Sequence, residues 1–537
     1  MKIQIFDTTL RDGTQGEGIS FSVDDKLAIA KRLDEAGFDY IEGGWPMSNP
    51  KDSEFFRRAK DMRLRHARLT AFGSTRFSRN RVDADPNVRA LVEAETPAVA
   101  IFGKSWKLQV ERALGVPEEE NLRMIYETVR YLKDHGREVI YDAEHFFDGY
   151  IDDPAFALRT LEMAAKAEAD VLCLCDTRGG TLPDEVARVV AVVKGRFDAT
   201  LGMHAHNDSD VAVANTLAAV REGCSHVQGC INGYGERCGN ANLVSVIANL
   251  ELKQGYETIG PENIGSLTPL ARYIAERANV QMPHGQPFAG RSAFAHKGGM
   301  HVSAVRKAAV TYEHIEPELV GNEQRILLND LSGKGNLLHR LEQLELNLAA
   351  DEGSCRQLLS RVKKLESEGY DLESADGTFE LIARETLSPS EPYFTVGGYT
   401  VTTQALSAGA GVTAATVTLT TPSGFRSATA SGDGPVHCLD IALRRCLSSE
   451  FPEVSQVRLI DYKVRVLDSR KGTNAKVRVL VEWSDGWRTW TTVGVSTNVI
   501  EASWEALVDA LRLELTRLET GRAEEMNSVE LVREPAD

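Results

Sequence analysis

Short apolar segments alternate with amphipathic ones along the first half of the chain. Ile3 to Phe6 is mostly apolar and predicts a buried parallel strand. Ser22 can then cap an amphipathic helix that ends near Gly37. Seven further apolar segments follow, separated by helical patterns such as 121–135, 156–169 and 182–197: Tyr40 to Gly43, Arg68 to Phe72, Ala98 to Phe102, Glu138 to Ala143, Val171 to Cys175, Ala199 to His204 and His226 to Ile231.

This alternation gives eight strand-helix units in about 270 residues, which is the size and rhythm of a (β/α)8 TIM barrel. We therefore expect an α/β protein whose residues 1–270 form a catalytic barrel. A doubly wound open sheet is the alternative, because periodicity alone does not prove that the sheet closes.

The pattern changes to helices and loops beyond Leu270. His296 to His301 opens a predicted helix, and 325–367 has the pattern of a helix, a loop and a helix. We assign residues 271–386 to a helical connecting subdomain.

Residues 387–537 contain an internal repeat. The predicted hairpin turns Pro422 to Phe425 and Ser484 to Trp487 superpose at a shift of 62 residues. Alternating strands precede the turns, at 416–420 and 476–482, and each turn is followed by a strand, a small-residue loop and a helix. The loops are 431–435 and 493–497. This predicts a duplicated α+β module that either admits a small ligand at its loops or serves only in dimerisation.

Composition narrows the class of protein. The 537 residues are 42% hydrophobic and 26% charged, as in globular proteins, and the net charge is -17. That charge argues against a broad nucleic-acid footprint. The sequence shows no leader and no apolar run long enough to span a membrane, and its eight cysteines lack C-x-x-C spacing. We expect a cytoplasmic protein with free thiols and neither nucleic-acid nor membrane partners.

Polar residues follow the predicted strands where a barrel carries its chemistry, at the carboxyl ends. Arg11 and Asp12 follow the first strand, Glu144 the fifth and Thr177 the sixth. His204 and His206 end the seventh, and Asn232 to Asn240 follow the eighth. An ordinary loop salt bridge would explain Arg11 and Asp12 alone, but not the polar residues that follow several other strands on the same rim.

Two histidines at positions i and i+2 of a strand point to the same side. With Asp12 they would provide two imidazoles and a carboxylate for a divalent metal, and Asn240 could add a ligand or support one. This ligand set does not distinguish Zn, Mn and Mg.

A metal beside Arg11 would suit a 2-oxo acid, with Arg11 countering negative charge and Thr177 binding the carboxylate. Glu144 and His301 are acid/base candidates, with buried structural hydrogen bonds as the alternative.

Two other motifs receive structural interpretations. Cys173 and Cys175 lie in a predicted buried strand, where cysteine serves as a small apolar residue. The glycines from Gly233 to Gly239 lack the spacing of a nucleotide-binding fingerprint and instead permit a tight loop.

Three motifs, in this order, resemble those of the 2-isopropylmalate, homocitrate and citramalate synthases: DTTLRDGTQ at 7–15, HAHND at 204–208 and NGYGERCGN at 232–240. Segments 143–150, 175–183 and 294–305 resemble the citramalate synthases most. The resemblance spans almost the whole chain and implies a metal-dependent condensation of acetyl-CoA with pyruvate, followed by thioester hydrolysis. It also implies that 387–537 is a regulatory domain that binds isoleucine, and that the protein is a homodimer.

The resemblance assigns roles to particular residues. It implies Asp12, His204 and His206 as metal ligands, possibly with Asn240, and Arg11 and Thr177 at the oxo acid. Glu144, His301 and Tyr312 would surround the acetyl-CoA methyl group and thioester, with His301 and Tyr312 reaching the partner's barrel.

Two residues depart from the family pattern: Arg178 stands in place of an expected Asn, and Asp210 in place of an expected Gly. The main alternative function is 2-isopropylmalate synthase, whose acceptor is 3-methyl-2-oxobutanoate and whose effector would be leucine. A hydroxymethylglutaryl-CoA lyase fits less well, because Cys238 lies within the synthase pattern. A non-catalytic amino-acid sensor fits less well because the site residues are present.

Overall fold

The computed structural model describes residues 1–296, 299–326, 337, 341, 346, 351–404, 412–486 and 488–531. Lys297, Gly298, Trp487 and most of the segment 327–350, about which the sequence makes predictions, lie outside them. The chain forms two compact units. One comprises residues 1–295 and 308–325, and the other comprises 296–307 and 326–537.

Eight parallel strands in the first unit form a closed barrel in chain order, and β8 pairs with β1 to complete the circle. The predicted barrel is therefore confirmed and the open sheet is wrong. The strands are β1 (Gln4–Asp7), β2 (Tyr40–Gly44), β3 (Arg68–Ser74), β4 (Ala98–Lys104), β5 (Glu138–Glu144), β6 (Val171–Asp176), β7 (Thr200–Ala205) and β8 (His226–Gly229).

Helices connect these strands, and their boundaries carry the expected signals. Ser22 and Asp25 form a reciprocal capping box at the start of the first helix, and Gly37 adopts a positive φ of 84° just beyond its end. The helices of this unit are α1 (Val23–Glu35), α2 (Pro50–Ala59), α3 (Pro86–Glu93), α4 (Lys107–Gln109), α5 (Glu118–Asp134), α6 (Phe146–Asp152), α7 (Pro154–Lys166), α8 (Pro183–Arg196), α9 (Ala212–Arg221), α10 (Leu243–Leu252) and α11 (Leu267–Arg277).

His226 lies on β8 inside the barrel, away from the catalytic rim. It is fully buried, and its ring centroid lies 5.3 Å from that of Phe6 and 5.4 Å from that of Tyr40. Neither ring nitrogen has a hydrogen-bond partner. Burial therefore lowers the pKa of His226 to about 3.

We expect His226→Leu to protect the barrel against acid. Below pH 6.5 His226 binds a proton in the unfolded chain but stays neutral in the folded chain. The free energy of unfolding therefore falls as the pH drops from about 6.5 towards 3. At pH 5 this linkage reaches about 2 kcal/mol, and the variant lacks it. Urea unfolding at pH 8 and pH 5 measures the effect, with exposed His135→Gln as the control. Equal pH dependence in the variant and the parent would contradict this prediction.

The second unit contains two three-stranded antiparallel sheets of the same design. Each has a register irregularity in its first strand pair, at Val396/Gly398 and at Leu459/Asp461, 63 residues further on. The duplicated α+β module is therefore visible in the backbone. Its strands are β11 (Thr395–Gln404), β12 (Val412–Thr421), β13 (Gly424–Gly432), β14 (Arg458–Val466), β15 (Val477–Ser484) and β16 (Thr489–Ser496); β9 (Ala295–His296) and β10 (Arg325–Ile326) precede them.

One predicted loop is instead part of a strand. Residues 493–496 complete β16, because the β-branched side chains of Val493 and Val495 pack into a core with Leu358 and Phe379. The corresponding loop of the first repeat, after β13, leads directly into a helix, as expected. The helices of this unit are α12 (Gly299–Lys307), α13 (Glu352–Glu368), α14 (Asp376–Leu387), α15 (Pro435–Leu447) and α16 (Val499–Leu531).

Among the described residues, no helix is both long and apolar enough to cross a membrane. The proposed division at residues 270 and 386 stays a prediction.

Candidate active site

One cavity of about 240 Å³ opens at the C-terminal rim of the barrel. The ends of several strands supply its lining, as expected of this fold. Six of the residues singled out from the sequence line it: Arg11, Asp12, Glu144, Thr177, His204 and His206.

Asp12 and the two histidines form a compact cluster of ligand atoms. His204 Nε2 lies 3.3 Å from His206 Nε2 and 3.4 Å from Asp12 Oδ2. All three side chains are buried, and one potential ligand atom from each lies within 4.8 Å of the others. Asp12 Oδ1 and His206 Nδ1 are buried without hydrogen-bond partners. Buried polar atoms normally have partners, so this cluster has the character of a cation site.

Gln228 and Asp142 determine that His204 carries a hydrogen on Nδ1. The Gln228 side-chain amide donates to Asp142 Oδ1 at 2.8 Å, so its carbonyl oxygen is the atom that faces His204 Nδ1, at 2.9 Å. Since that oxygen only accepts, His204 Nδ1 carries the hydrogen and Nε2 presents its lone pair to the cluster. Such outer partners commonly orient metal-binding histidines.

The charges in the cluster are strongly coupled. Burial would raise the pKa of Asp12, but Arg11 and the histidines outweigh burial and hold that pKa well below its usual range. Burial would lower the pKa of His204, yet the interaction with Asp12 raises it. Burial and neighbouring His204 lower the pKa of His206 to about 3. A cation bound at this cluster would take the place of any proton on His204 Nε2, so its binding would release protons.

Asn240 lies beside this cluster. Its backbone forms an isolated antiparallel bridge with His206, and its amide nitrogen lies 3.5 Å from Cys230 Sγ. The Asn240 side-chain oxygen is buried without a hydrogen-bond partner. That free oxygen is compatible with a ligand role, which remains a prediction.

Arg11 is held rigidly on two sides. Its Nε donates to Glu42 Oε2 at 2.7 Å, and its guanidinium carbon lies 3.7 Å from the centre of the Phe72 ring. Burial raises the pKa of Glu42 to about 7, although Arg11 opposes the shift. Because Nε donates to Glu42, the two terminal nitrogens of Arg11 are left for other partners. One of them lies 3.6 Å from Asp12 Oδ2.

Glu144 and Thr177 lie on the opposite side of the cavity, at the ends of β5 and β6. Lys104 Nζ lies 2.5 Å from a Glu144 carboxylate oxygen. The Thr177 hydroxyl oxygen accepts the backbone N–H of His145 at 2.8 Å, which leaves its own proton available for donation. Lys104, Asp142 and Gln228 were not singled out from the sequence. The signal for Asp142 and Gln228 was a lone polar residue within an apolar strand.

An aromatic wall, also missed, completes the cavity. The Phe72 and Phe102 rings stack at 5.6 Å, and Trp45 meets both edge-on at 5.9 Å. These side chains limit the room for an apolar substituent on a substrate. Since they come from loops and strands far apart in sequence, no local motif marks them.

His301 and Tyr312 do not belong to the described lining of this cavity. His301 lies on α12, in the second unit, and Tyr312 lies in the segment 308–325 of the first unit; both side chains are exposed. Their catalytic roles stay predictions.

The two departures from the family pattern have structural consequences. Arg178 lies 3.3 Å from Asp148 and 5.7 Å from the centre of the Trp106 ring, so its charge is partly matched at the rim. Asp210 adopts a φ of 58°, the left-handed region that favours glycine. The Gly expected there would avoid that strain.

The HMGL-like family pattern matches residues 2–270, the homocitrate synthase post-HMGL domain-like pattern matches 288–370, and the LeuA allosteric (dimerisation) domain pattern matches 373–514. An (R)-citramalate synthase of Aquifex aeolicus (strain VF5) is 51% identical, over 96% of this chain and 98% of its own length. The chain belongs to the citramalate synthase family. A second member, from Geobacter sulfurreducens, is 45% identical over the same shares. A 2-isopropylmalate synthase of Sulfolobus acidocaldarius is 36% identical, over 70% of this chain and 94% of its own.

Proposed function

We propose that this protein is a citramalate synthase. The acetyl methyl carbon of acetyl-CoA loses a proton and forms a bond to the keto carbon of pyruvate, and water then cleaves the thioester to give citramalate and CoA. Full-length similarity to citramalate synthases supports the reaction. The observation that carries the site assignment is the convergence of Asp12, His204 and His206 beside Arg11 in one cavity.

Asp12, His204 and His206 would hold a divalent metal, with Asn240 as a further ligand. The cavity supports this charge: among the described residues that line it, four carry carboxylates (Asp12, Asp142, Glu144 and Glu236) and one, Arg11, carries a guanidinium group. When bound, the metal acts as a Lewis acid on the keto group of the substrate. Mn, Mg and Zn all accept this mixture of imidazole, carboxylate and amide ligands.

The protein's own groups perform the remaining tasks. Arg11 would counter negative charge that develops on the keto oxygen, and the Thr177 hydroxyl would donate to the pyruvate carboxylate. Glu144, which forms an ion pair with Lys104, would accept the methyl proton. His301 and Tyr312 would act at the thioester, contributed by the second subunit of a homodimer.

The regulatory assignment rests on the LeuA allosteric domain pattern, and isoleucine is the effector we propose for it. A cytoplasmic location is part of the same proposal.

The test is CoA release by the purified protein with acetyl-CoA and a divalent metal. Pyruvate, 3-methyl-2-oxobutanoate and 2-oxoglutarate are supplied in parallel. Turnover with pyruvate well above that with the other acids supports the proposal. Preference for 3-methyl-2-oxobutanoate would instead indicate a 2-isopropylmalate synthase, and no turnover would indicate a lyase or a sensor.

We expect Phe102→Ala to shift acceptor preference towards larger acids. Removing one ring of the aromatic wall makes room for the two additional methyl carbons of 3-methyl-2-oxobutanoate. The ratio of its kcat/KM to that of pyruvate should rise at least about tenfold. Phe77→Ala removes an exposed phenylalanine outside the cavity and serves as the control. An unchanged ratio would show that this wall does not select the acceptor.

A further inference from the structure

Two cysteines and a carboxylate converge inside the barrel, beside the cluster of Asp12 and the two histidines but separate from it. Cys173 and Cys175 are two residues apart on β6, so their side chains point to the same side, and both pack in the inner core of the barrel. On the adjacent strand β5, Asp142 is the register partner of Cys173. One potential ligand atom from each of these three residues lies within 4.8 Å of the others, and all three are buried.

The sulfur atoms of this group have weak partners. Cys175 Sγ lies 3.8 Å from the backbone oxygen of Cys173, and the Cys173 thiol hydrogen-bonds to the Asp142 carboxylate. Burial raises the pKa of Asp142, and among the described residues no lysine or arginine forms an ion pair with it. A bound cation would replace these weak sulfur contacts and compensate the buried carboxylate.

A cation can reach this group from the rim of the barrel. Asp142 and Cys175 both line the cavity of the candidate active site, while Cys173 lies deeper on β6 and is fully buried. Thiolates bound tetrahedrally to zinc at about 2.3 Å lie about 3.8 Å from one another, which the spacing of these three ligand atoms approaches.

The ligand types distinguish this group from the first cluster. Two sulfurs and a carboxylate replace two imidazoles and a carboxylate. Thiolates select soft or borderline cations such as Zn²⁺ and Cd²⁺, whereas Mg²⁺ and Mn²⁺ prefer oxygen ligands. The sequence alone indicates small apolar core residues at both cysteines, because the third ligand comes from a different strand.

We propose that Asp142, Cys173 and Cys175 form a thiolate metal site that binds a thiophilic divalent cation, Zn²⁺ or Cd²⁺, with water from the cavity as the fourth ligand. On binding, each thiol releases its proton to solvent and each sulfur donates an electron pair to the cation, so one divalent cation replaces two protons. No oxidation or reduction is involved. Binding at this site does not depend on the proposed reaction.

Cadmium absorption tests the site on the full chain. Thiolate ligands give bound Cd²⁺ a charge-transfer band in the ultraviolet; imidazole and carboxylate ligands do not, so cadmium at the first cluster adds nothing to this band. The parent for all measurements is Cys238→Ser, which lacks the exposed thiol. We expect the band to saturate at one Cd²⁺ per chain and to persist in excess Mg²⁺. Absence of the band, or its loss in excess Mg²⁺, would overturn the proposal.

Three substitutions locate the ligands. Cys173→Ala and Cys175→Ala should each halve the saturated band and weaken Cd²⁺ binding at least about tenfold, because each removes one thiolate. Asp142→Asn keeps both thiols, so it should weaken binding and leave the saturated band unchanged. Cys438→Ala removes a buried cysteine of the second unit and is the matched control. Unchanged affinity in all three variants would show that the thiolates lie elsewhere and overturn the proposal.

Cadmium NMR on the Cys238→Ser parent keeps the test valid if a cysteine variant fails to fold. The cadmium chemical shift moves downfield with each thiolate ligand, so it counts thiolates without a further substitution. A shift typical of two sulfur ligands is expected, and a shift typical of one or none would overturn the site. Since none of these measurements involves turnover, failure of this proposal and failure of the proposed function are distinguishable.

Discussion

Asp12→Asn should lower kcat/KM for pyruvate by at least about 1000-fold. The substitution keeps the size of the side chain but removes the only carboxylate among the three clustered ligand side chains. It also removes the negative charge that meets His204 Nε2 at 3.4 Å. Affinity for Mn²⁺ should fall at least about 100-fold, because losing a ligand costs more than losing an outer partner, for which 10-fold to 100-fold is typical.

Two measurements separate the cause of this loss. Calorimetry with Mn²⁺ reports metal binding, and CoA release reports turnover. Asp83→Asn, at a solvent-exposed ion pair of the barrel unit, is the matched control and should leave both unchanged. If Asp12→Asn retained metal affinity while losing turnover, Asp12 would act in catalysis and not as a ligand. Full activity of Asp12→Asn would show that this cluster is not the cation site.

The barrel was predictable because its strands repeat one simple signal. Each is a short apolar segment, since both faces of a parallel barrel strand are buried, and the candidate ligands stand where these segments end. His204 and His206 were identifiable because their spacing places them on one side of β7. The repeat in the second unit was visible for a similar reason: matching turns recur at a constant shift.

The supporting residues were not predictable in the same way. Gln228 and Glu42 lie on strands whose pattern indicates burial, and a single polar residue there does not disclose its partner. Their roles follow from pairings across the barrel, of Gln228 with His204 and of Glu42 with Arg11. Contacts between distant elements are tertiary information that periodicity does not carry.

Arg11→Gln should lower kcat/KM for pyruvate by about 100-fold to 1000-fold. A glutamine loses the charge that would stabilise negative charge on the keto oxygen, and it cannot reproduce the stacking of the guanidinium on Phe72 at 3.7 Å. The same change leaves Glu42 buried without its cation, 2.7 Å from where Arg11 Nε was. Removing one partner of a buried ion pair typically costs about 3–5 kcal/mol, so the variant should also be less stable.

The double variant Arg11→Gln/Glu42→Gln distinguishes catalysis from stability. Two amides can hydrogen-bond to each other and leave no buried charge, so most of the lost stability should return. Turnover should remain low, because neither amide supplies a positive charge. Urea unfolding and CoA release are measured on the parent, the single variant and the double variant. The double variant should regain stability without regaining turnover. Recovery of turnover together with stability would mean that Arg11 serves the fold of the rim and takes no direct part in the reaction.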